Sequence, residues 1–376
     1  MERKYVTPRT DYREKIEALG FDFHGDYWRE EAYYQFTSDE IGRLEEATAE
    51  AYRMYCEAAG YIIEKEPEWM ERFLQLPPEI CQRIRESWNA DELSLYGRFD
   101  FMLDEKGTPR ILEFNADTPT SLLEASVIQW QWKEDVFPDC DQYNGIHEGL
   151  VQSWKDIFAS GSNLHFAGVL DNHEDSGTLQ YLASTAMEAG YSTRVLDIND
   201  MDLQDGCFYD PSGERIEHCF KLYPWEWMAD ESPDGCLASL TWLEPIWKLV
   251  MSNKAILTKI FELFPDSPYV LPCFLSRPQE GVYCKKPVFS REGHNVSVVE
   301  IRNWEERPLL RETEGDYNQG AYVYQGYVRP TVYGGRYPVI GSWIVGGEPA
   351  GIGIRENRME ITDNLSEFVP HVIVNN

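Results

Sequence analysis

The stretch YGRFDFMLDEKGTPRILEFNADTPT, residues 96–120, contains four residues that could bind a cation or a phosphate group: Arg98, Asp100, Glu113 and Asn115. Alternating polar and apolar residues on both sides of a Lys-Gly pair predict a β-hairpin that turns at that pair. Because cross-strand partners lie at equal distances from the turn, we expect Asp100 to face Glu113 and Arg98 to face Asn115. The opposite face is predicted to enter the core through the apolar residues Phe99, Phe101, Leu103, Leu112 and Phe114.

A divalent cation would explain why one hairpin face holds two opposed carboxylates, which otherwise repel each other. Asp100, Glu113 and Asn115 offer only oxygen ligands, which are typical of Mg²⁺ or Mn²⁺ sites rather than of zinc sites. A surface ion network built on Arg98 accounts for the same residues equally well. The hairpin alone therefore leaves both interpretations open.

Lysines further along the chain supply charge of the kind that binds phosphate. Lys286 ends a predicted strand and precedes a loop with Gly293, and a glycine loop of this kind can close over a triphosphate. Lys254 begins a predicted apolar helix, where the helix dipole disfavours a cation unless an anion lies near it. Solvated lysines are the simpler alternative at both positions, and Gln325 and Arg355 are equally compatible with ordinary strand positions.

Helices and strands form separate blocks along the chain. Thr37 and Glu40 have capping-box spacing before a long amphipathic helix. A βαβ unit is predicted over residues 164–198, without the glycine fingerprint of dinucleotide-binding proteins. We also predict a short hairpin over 207–223, a helical stretch from Leu240, and an antiparallel sheet towards the C-terminus.

The chain has 34 basic and 65 acidic residues, which give a formal net charge of −31. Such a surface repels nucleic-acid phosphates and anionic lipid, so neither is expected as a partner. The eight cysteines lack metal-site spacing, the first residues lack the apolar core of a signal peptide, and no apolar run is long enough to span a bilayer. A cytoplasmic protein with free thiols is expected.

Seven motifs that span most of the chain carry a resemblance to a known family: GRFDF, LEFNADTPTS, KLYPWEWM, SNKAIL, KKPVFSREGHNV, VYQGY and FVPHVI. In this order they resemble the glutathionylspermidine synthase family, and in particular its stand-alone bacterial members described as acid–amine ligases. The resemblance implies an ATP-grasp-like fold of α+β and α/β character in permuted order, with antiparallel sheets that clamp the nucleotide. It also implies a reaction in which ATP converts a carboxylic acid into an acyl phosphate, which an amine then attacks to form an amide.

Under this resemblance the chain divides into four parts. They are a helical N-terminal part at 1–92, a metal-binding hairpin with helices of the ATP-grasp core at 93–160, a βαβ-containing domain at 161–238, and an ATP-binding lid with the C-terminal sheet at 239–376.

The resemblance also implies roles for individual residues. Asp100, Glu113 and Asn115 would hold Mg²⁺, as two ions. Arg98 and Arg355 would stabilise the charge that develops on the transferred phosphoryl group. The nucleotide itself would contact Arg98, Asp100, Lys254, Lys286, Gly293 and Gln325, with Gln325 near the adenine.

The expected partners are a small carboxylic acid or peptide and an amine. Ser121 and Thr118 follow the metal motif and would meet the acid. Glu174 and Asp175 follow the first strand of the βαβ unit and could receive a cationic amine, although a solvated loop explains their charges equally well. Two other classes stay open: a non-catalytic nucleotide- or peptide-binding module descended from such a ligase, and a metal-dependent hydrolase, which would leave the lysine loop without a role.

Overall fold

A computed structural model describes residues 1–22, 27–291, 293–310, 313, 315, 320–361 and 366–374. Helices and strands are mixed along the chain. The helices are α1 (Tyr12–Ala18), α2 (Ser38–Lys65), α3 (Pro67–Phe73), α4 (Pro78–Asn89), α5 (Gln129–Val136), α6 (Ile146–Ile157), α7 (His173–Glu188), α8 (Trp225–Glu231), α9 (Pro233–Cys236), α10 (Lys248–Ser252) and α11 (Ile256–Leu263). A π-helical segment, Glu124–Ile128, precedes α5.

The strands follow the same chain order. They are β1 (Glu2–Tyr5), β2 (Ala32–Thr37), β3 (Tyr96–Leu103), β4 (Pro109–Asn115), β5 (Asn163–Gly168), β6 (Ser192–Asp197), β7 (Asp202–Gln204), β8 (Cys207–Tyr209), β9 (His218–Leu222), β10 (Thr241–Leu243), β11 (Cys273–Phe274), β12 (Gly281–Pro287), β13 (Ser297–Arg302), β14 (Glu305–Leu310), β15 (Tyr322–Gly326), β16 (Tyr337–Val345), β17 (Glu348–Asn357), β18 (Glu367–Val369) and β19 (His371–Val374).

The long helix α2 begins at the predicted capping box. The Thr37 hydroxyl accepts from the Glu40 backbone N–H at 3.3 Å, and the Glu40 carboxylate accepts from the Thr37 N–H at 2.9 Å. Two otherwise unpaired backbone donors are thereby satisfied, which fixes where the helix starts. Its apolar stripe, which includes Leu44, Met54 and Ile62, is buried and lies in the same core cluster as Phe99 of the hairpin.

A parallel sheet in the order β10-β9-β5-β6 forms around the predicted βαβ unit, with α7 as the crossover helix. The predicted hairpin over 207–223 is confirmed only near its turn, where Tyr209 forms an antiparallel bridge with Arg215 and the Ile216 N–H donates to the Phe208 carbonyl at 2.8 Å. The predicted pairing of its second strand is wrong. Residues Cys207–Tyr209 pair with β7, whereas His218–Leu222 runs parallel to both β5 and β10. Burial on both faces explains this, because Cys219 and Phe220 are each almost fully buried, as expected of a central parallel strand. The helical stretch predicted from Leu240 is likewise interrupted by strand β10.

Two five-stranded antiparallel sheets contain the strands from β11 to β18, as predicted. The last strand, β19, lies outside them and runs parallel to β2 in a three-stranded sheet with β1. The first five-stranded sheet has the order β18-β17-β16-β3-β4 and therefore includes the hairpin of residues 96–115. The second has the order β11-β15-β12-β13-β14. The sheets meet along β4, where the Gln325 side chain of the second sheet donates to the Ile111 carbonyl of the first at 2.9 Å.

The described chain is thus a mixed α/β structure with one parallel and two large antiparallel sheets. The four-part division of the sequence stays a prediction. All eight cysteines are free thiols. Among the described residues, no helix combines the length and apolar character needed to cross a bilayer.

Candidate active site

The hairpin of β3 and β4 has the predicted register at its polar end. Asp100 lies opposite Glu113, and Arg98 lies opposite Asn115. Phe99 is fully buried in the core on the other face. The strand alternation therefore brings both carboxylates to one surface, as the sequence indicates.

The register shifts by one residue immediately beyond Asp100, so that Phe101 pairs with Ile111. Because of this β-bulge, the prediction that Leu112 enters the core is wrong. Instead of entering the core, Leu112 lines the cavity beside the carboxylates. A bulge inserts one unpaired residue and reverses the alternation beyond it, which a symmetric hairpin pattern does not predict.

Asp100 is held between two arginines. Its carboxylate accepts from Arg98 Nε at 2.7 Å and from Arg355 Nη2 at 2.7 Å, and Arg98 also donates to the Thr120 carbonyl. Burial raises the pKa of Asp100, but the two guanidinium groups outweigh burial and hold it below its ordinary value. The carboxylate is therefore ionised at neutral pH. The alternative prediction, a surface ion network built on Arg98, is wrong because Arg98 is only 5% exposed.

Glu113 contacts the first of the two candidate lysines. Lys254 lies in the turn between α10 and α11, and its Nζ is 3.1 Å from Glu113 Oε2 and 2.6 Å from the Ser290 carbonyl. Burial raises the pKa of Glu113, but Lys254 and Lys286 together bring it below its ordinary value. Lys254 is only 8% exposed, so it is not a solvated lysine.

The second lysine projects from β12 towards the hairpin. Lys286 Nζ donates to Gln325 Oε1 at 2.8 Å and to the Leu112 carbonyl at 3.1 Å. Lys286 is 6% exposed and Gln325 is 2% exposed. Both described acceptors of Lys286 are neutral oxygens, and its side chain lines the cavity, where it can contact an anion.

These groups surround a cavity of about 410 Å³ between the two antiparallel sheets and α7. The structure brings together nine of the predicted site residues in its wall: Asp100, Glu113, Ser121, Glu174, Lys254, Lys286, Gly293, Gln325 and Arg355. Gly293 has φ = +69°, a left-handed conformation that glycine adopts without strain.

Four predicted residues lie outside that wall. Arg98 is behind Asp100. Asn115 and Thr118 line an adjoining smaller pocket, which Glu113 and Lys254 share. Asp175 is half-buried in the first turn of α7 without lining the cavity, whereas its neighbour Glu174 lines it.

The donor set can be tested against Mg²⁺. Within the described ranges, no group of three or more His, Cys, Asp or Glu side chains has the arrangement of a metal site. The predicted set needs an amide, and Asn115 supplies one: its Nδ2 is buried without a hydrogen-bond partner among the described residues. Side-chain amides are assigned by their hydrogen bonds, so an unpaired Asn115 can turn its oxygen towards Glu113. Two carboxylates and an amide fit a hard cation whose other ligands are phosphate oxygens and water.

Sequence reasoning missed two polar residues at this site. The Tyr27 hydroxyl lies 2.7 Å from Ser121 Oγ and lines the cavity. Glu124 is 1% exposed at the start of the π-helical segment. One signal for Glu124 was available, because it is the single charged residue in the apolar run SLLEASVI. The sequence around Tyr27 does not indicate its contact with Ser121, since these two residues are 94 positions apart.

Gly341 of β16 leaves space for the Arg98 side chain, since a Cβ at this position would lie 2.8 Å from Arg98 Cδ. We expect Gly341→Ala to displace Arg98 from Asp100 and to lower the free energy of unfolding by about 1–3 kcal/mol, as overpacking does. Urea denaturation measures this change. Gly42→Ala is the control: Gly42 is exposed in α2 with no atom within 4 Å of the new Cβ, so it should stabilise the protein slightly. Equal stability of the Gly341 variant and the wild type would contradict the packing argument.

The fold and the site define a class of protein. The architecture is similar to that of a glutathione synthetase-like effector from Globodera pallida in its apo form, with a TM-score of 0.58 over 98% of this chain and 100% of that one, at 9% identity. A likeness at this identity concerns the fold alone. The family model described as "Glutathionylspermidine synthase preATP-grasp" matches residues 3–374. The chain therefore belongs to the glutathionylspermidine synthase family.

Two curated relatives are similar in sequence. A Haemophilus influenzae protein with the name "Putative acid–amine ligase" is 35% identical over 97% of this chain and 98% of its own length. Trypanothione synthetase of Crithidia fasciculata is 29% identical over 79% of this chain. The chain spans half the length of that trypanothione synthetase. These matches confirm the family resemblance expected from the seven motifs.

Proposed function

We propose that this protein is an ATP- and Mg²⁺-dependent acid–amine ligase that forms an amide bond through an acyl phosphate. The names of its relatives support the ligase class. One observation carries the proposal further: two buried lysines, Lys254 and Lys286, and the half-buried Arg355 come from three separate parts of the chain. They line one cavity that also contains the two hairpin carboxylates. Phosphoryl transfer to a carboxylate brings anions together, and convergent cations offset their repulsion.

The proposed fold detail is a permuted ATP-grasp arrangement, in which the two antiparallel sheets hold the nucleotide between them. Lys286 and Lys254 would contact phosphates, Gly293 would lie in the loop over them, and Gln325 would lie near the adenine. Each of these four residues lines the cavity. Bound Mg²⁺ would neutralise phosphate charge, with Glu113, Asn115 and Asp100 as its protein ligands.

Arg98 and Arg355 would meet the charge that develops on the transferred phosphoryl group. Asp100 orients both guanidinium groups from one carboxylate, which fixes their planes relative to each other. Ser121 would contact the acid substrate, and Glu174 would receive the amine. A cytoplasmic setting fits the eight free thiols, and a net charge of −31 disfavours nucleic acid and anionic membranes as partners.

Phosphate release with Mg²⁺ and ATP tests the proposal. Purified protein is incubated with a panel of peptides and carboxylic acids, including glutathione, and with aliphatic amines. We expect phosphate release that requires both an acid and an amine. With hydroxylamine in place of the amine, an acid hydroxamate should accumulate, because hydroxylamine traps acyl phosphates. Calorimetry that detects no ATP binding in the presence of Mg²⁺ would refute the ligase. ATP binding without any release across the panel would instead favour a non-catalytic nucleotide-binding module.

A further inference from the structure

The motif KLYPWEWM, residues 221–228, contacts the segment that follows the hairpin of β3 and β4. Lys221 of β9 is fully buried, and its Nζ donates to Asp117 Oδ1 and to the Tyr223 carbonyl, each at 2.8 Å. The other carboxylate oxygen of Asp117 accepts from the Trp225 N–H at 2.8 Å. Asp117 is itself 1% exposed, so water does not compete for these bonds. One carboxylate thus joins the end of the hairpin to the end of β9 and to the start of α8.

A second link joins the same two segments at the adjacent positions. Arg291 donates from Nη1 to Thr118 Oγ1 at 2.7 Å and from Nη2 to Glu226 Oε1 at 2.6 Å. Residues 116–121 belong to no helix or strand, so no backbone ladder fixes their position. Side-chain bonds of this kind therefore determine where the segment lies.

The segment 116–121 carries or adjoins three groups of the candidate active site. Asn115 is the last residue of β4 and directly precedes it, the Thr120 carbonyl accepts from Arg98, and Ser121 lines the cavity. Asn115 Nδ2 has no hydrogen-bond partner among the described residues, so the placement of this amide depends on the backbone that carries it. A displacement at Asp117 would move the Asn115 amide and the Thr120 carbonyl together.

Stability alone does not account for a buried ion pair at this position. Apolar side chains of similar volume often stabilise a fold as well as a buried ion pair does, because the two charges lose their hydration. A charged pair differs in making short bonds of defined direction. The bonds of Asp117 to Lys221 and Trp225 therefore suit a role in geometry better than a role in stability.

We propose that Asp117 and Lys221 are positioning residues for the Mg²⁺ site, which hold the Asn115 amide near Glu113 and the Thr120 carbonyl near Arg98. The inference rests on the proposed ligase function and gives the motif KLYPWEWM a part in it. Neither Asp117 nor Lys221 lines the main cavity, so both act through the residues that do. Loss of a group that orients a metal ligand typically weakens metal binding by about 10- to 100-fold.

Mn²⁺ binding tests this role without turnover. Mn²⁺ replaces Mg²⁺ as the probe, because the electron paramagnetic resonance signal of the free ion reports how much is unbound. The titration is run with and without a non-hydrolysable ATP analogue, and Mn²⁺ bound by the analogue alone is subtracted. We expect Asp117→Asn, which keeps the size of the side chain without its charge, to weaken Mn²⁺ binding by about 10- to 100-fold.

Glu244→Gln is the matched control. Glu244 is also a buried carboxylate that pairs with a buried lysine, Lys248, at 3.0 Å and accepts from two backbone N–H groups, those of Leu95 and Tyr96. It lines neither the main cavity nor the smaller pocket of Asn115. We expect Glu244→Gln to lower the melting temperature much as Asp117→Asn does while Mn²⁺ affinity stays within about twofold of the wild type.

A double variant separates geometry from stability. Asp117→Leu combined with Lys221→Met replaces the ion pair by apolar side chains and leaves no unpaired buried charge. Its melting temperature should be closer to that of the wild type than the melting temperature of Asp117→Asn is. Its Mn²⁺ affinity should stay about 10- to 100-fold weaker than that of the wild type, because no bond then joins residue 117 to β9. Wild-type Mn²⁺ affinity in the double variant would show that the pair only fills space, which overturns the inference.

Hydrogen exchange of the wild type supplies a measurement that needs no variant. Mn²⁺ with the ATP analogue should slow exchange in peptides that cover residues 115–121 and in those that cover 221–226, since the two segments are bonded to each other. Slowing confined to 115–121 would contradict the link. The inference is also overturned if the wild type binds no Mn²⁺, if Asp117→Asn binds it as the wild type does, or if Glu244→Gln loses as much affinity.

The ligase and the positioning role can fail separately. Mn²⁺ binding that depends on Asp117, in a protein that releases no phosphate from ATP, would contradict the ligase and leave the positioning role in place. Phosphate release by a protein whose Mn²⁺ affinity is the same with Asp117 or Asn at this position would do the reverse.

Discussion

Asp100→Asn is expected to reduce phosphate release by about 10²- to 10³-fold, the usual effect of removing one preorganised charge contact at a reacting centre. The carboxylate of Asp100 is the common partner of Arg98 and Arg355. An asparagine has no charge to offset those of the buried Arg98 and the half-buried Arg355, so the two guanidinium groups should repel each other and move from their present planes. Loss of one partner from a buried ionic cluster should also lower the free energy of unfolding by about 3–5 kcal/mol. Phosphate-release kinetics and urea denaturation measure the two effects.

The free energy of unfolding measured at acidic pH gives an independent check of the role of the Asp100 carboxylate. Because the folded pKa of Asp100 lies below the ordinary value of 3.8, its ionised form adds stability above that value and loses it as pH falls through the folded pKa. Asp100→Asn should therefore flatten the loss of stability in acid.

Asp104→Asn is the control for the activity measurement, because Asp104 is also buried and pairs with Arg110 at 2.9 Å, but outside the cavity wall. This control should destabilise the hairpin while ATP affinity is kept. Wild-type turnover in Asp100→Asn would exclude the proposed role of the cluster.

Lys286→Met should weaken ATP binding by about 10- to 100-fold, the worth of a charge-assisted hydrogen bond of about 1.5–3 kcal/mol. Methionine keeps much of the buried stem but has no charge for a phosphate. Gln325 and the Leu112 carbonyl would lose the donor that they share. The folded state should persist, because neither lost partner is charged. Calorimetry with ATP and Mg²⁺, together with a thermal melt, measures both properties.

The neighbouring lysine on the same strand is the natural control. Lys285 points to the other face of β12, where its Nζ is 2.9 Å from Glu306 Oε1. Lys285→Met therefore removes the same charge from the protein without changing the cavity. We expect ATP affinity in this variant to stay within about twofold of the wild type, because the lost charge is screened by solvent. Equal losses in both variants would show that net charge, rather than a contact of Lys286, governs nucleotide binding.

The sequence predicts the part of the site that depends on strand alternation. Asp100 and Glu113 face each other because a period of two and a short turn determine their register. The β-bulge beyond Asp100 follows from three-dimensional packing, so the position of Leu112 was not predictable. The partners of strand β9 were mispredicted for a related reason: β5 and β10 are parallel neighbours, which leave no turn signal next to the strand.

The missed polar residues show where sequence patterns lose information. Tyr27 reaches Ser121 across 94 positions, and its own segment carries no periodic pattern that indicates the contact. Glu124 lies in an apolar helical run, where a carboxyl group is unfavourable unless neighbouring charges or a bound proton compensate for burial. The charges that act on it, Glu174 on one side and Arg98 and Arg355 on the other, are distant in sequence. The ion pair of Asp100 with Arg355 was likewise visible only in the fold.

The pairing of β3 with β16 also has a consequence for folding during synthesis on the ribosome. Asp100 and Arg355 are separated by 255 positions, so a ribosome that adds about 5–20 residues per second completes the hairpin tens of seconds before Arg355 emerges. During that interval the edge of β3 that will receive β16 is unpaired, and the hairpin's aromatic face lacks part of its final cover. Nascent chains that stall before β16 should therefore be prone to aggregation and should recruit chaperones, whereas release after β17 permits the sheet to close.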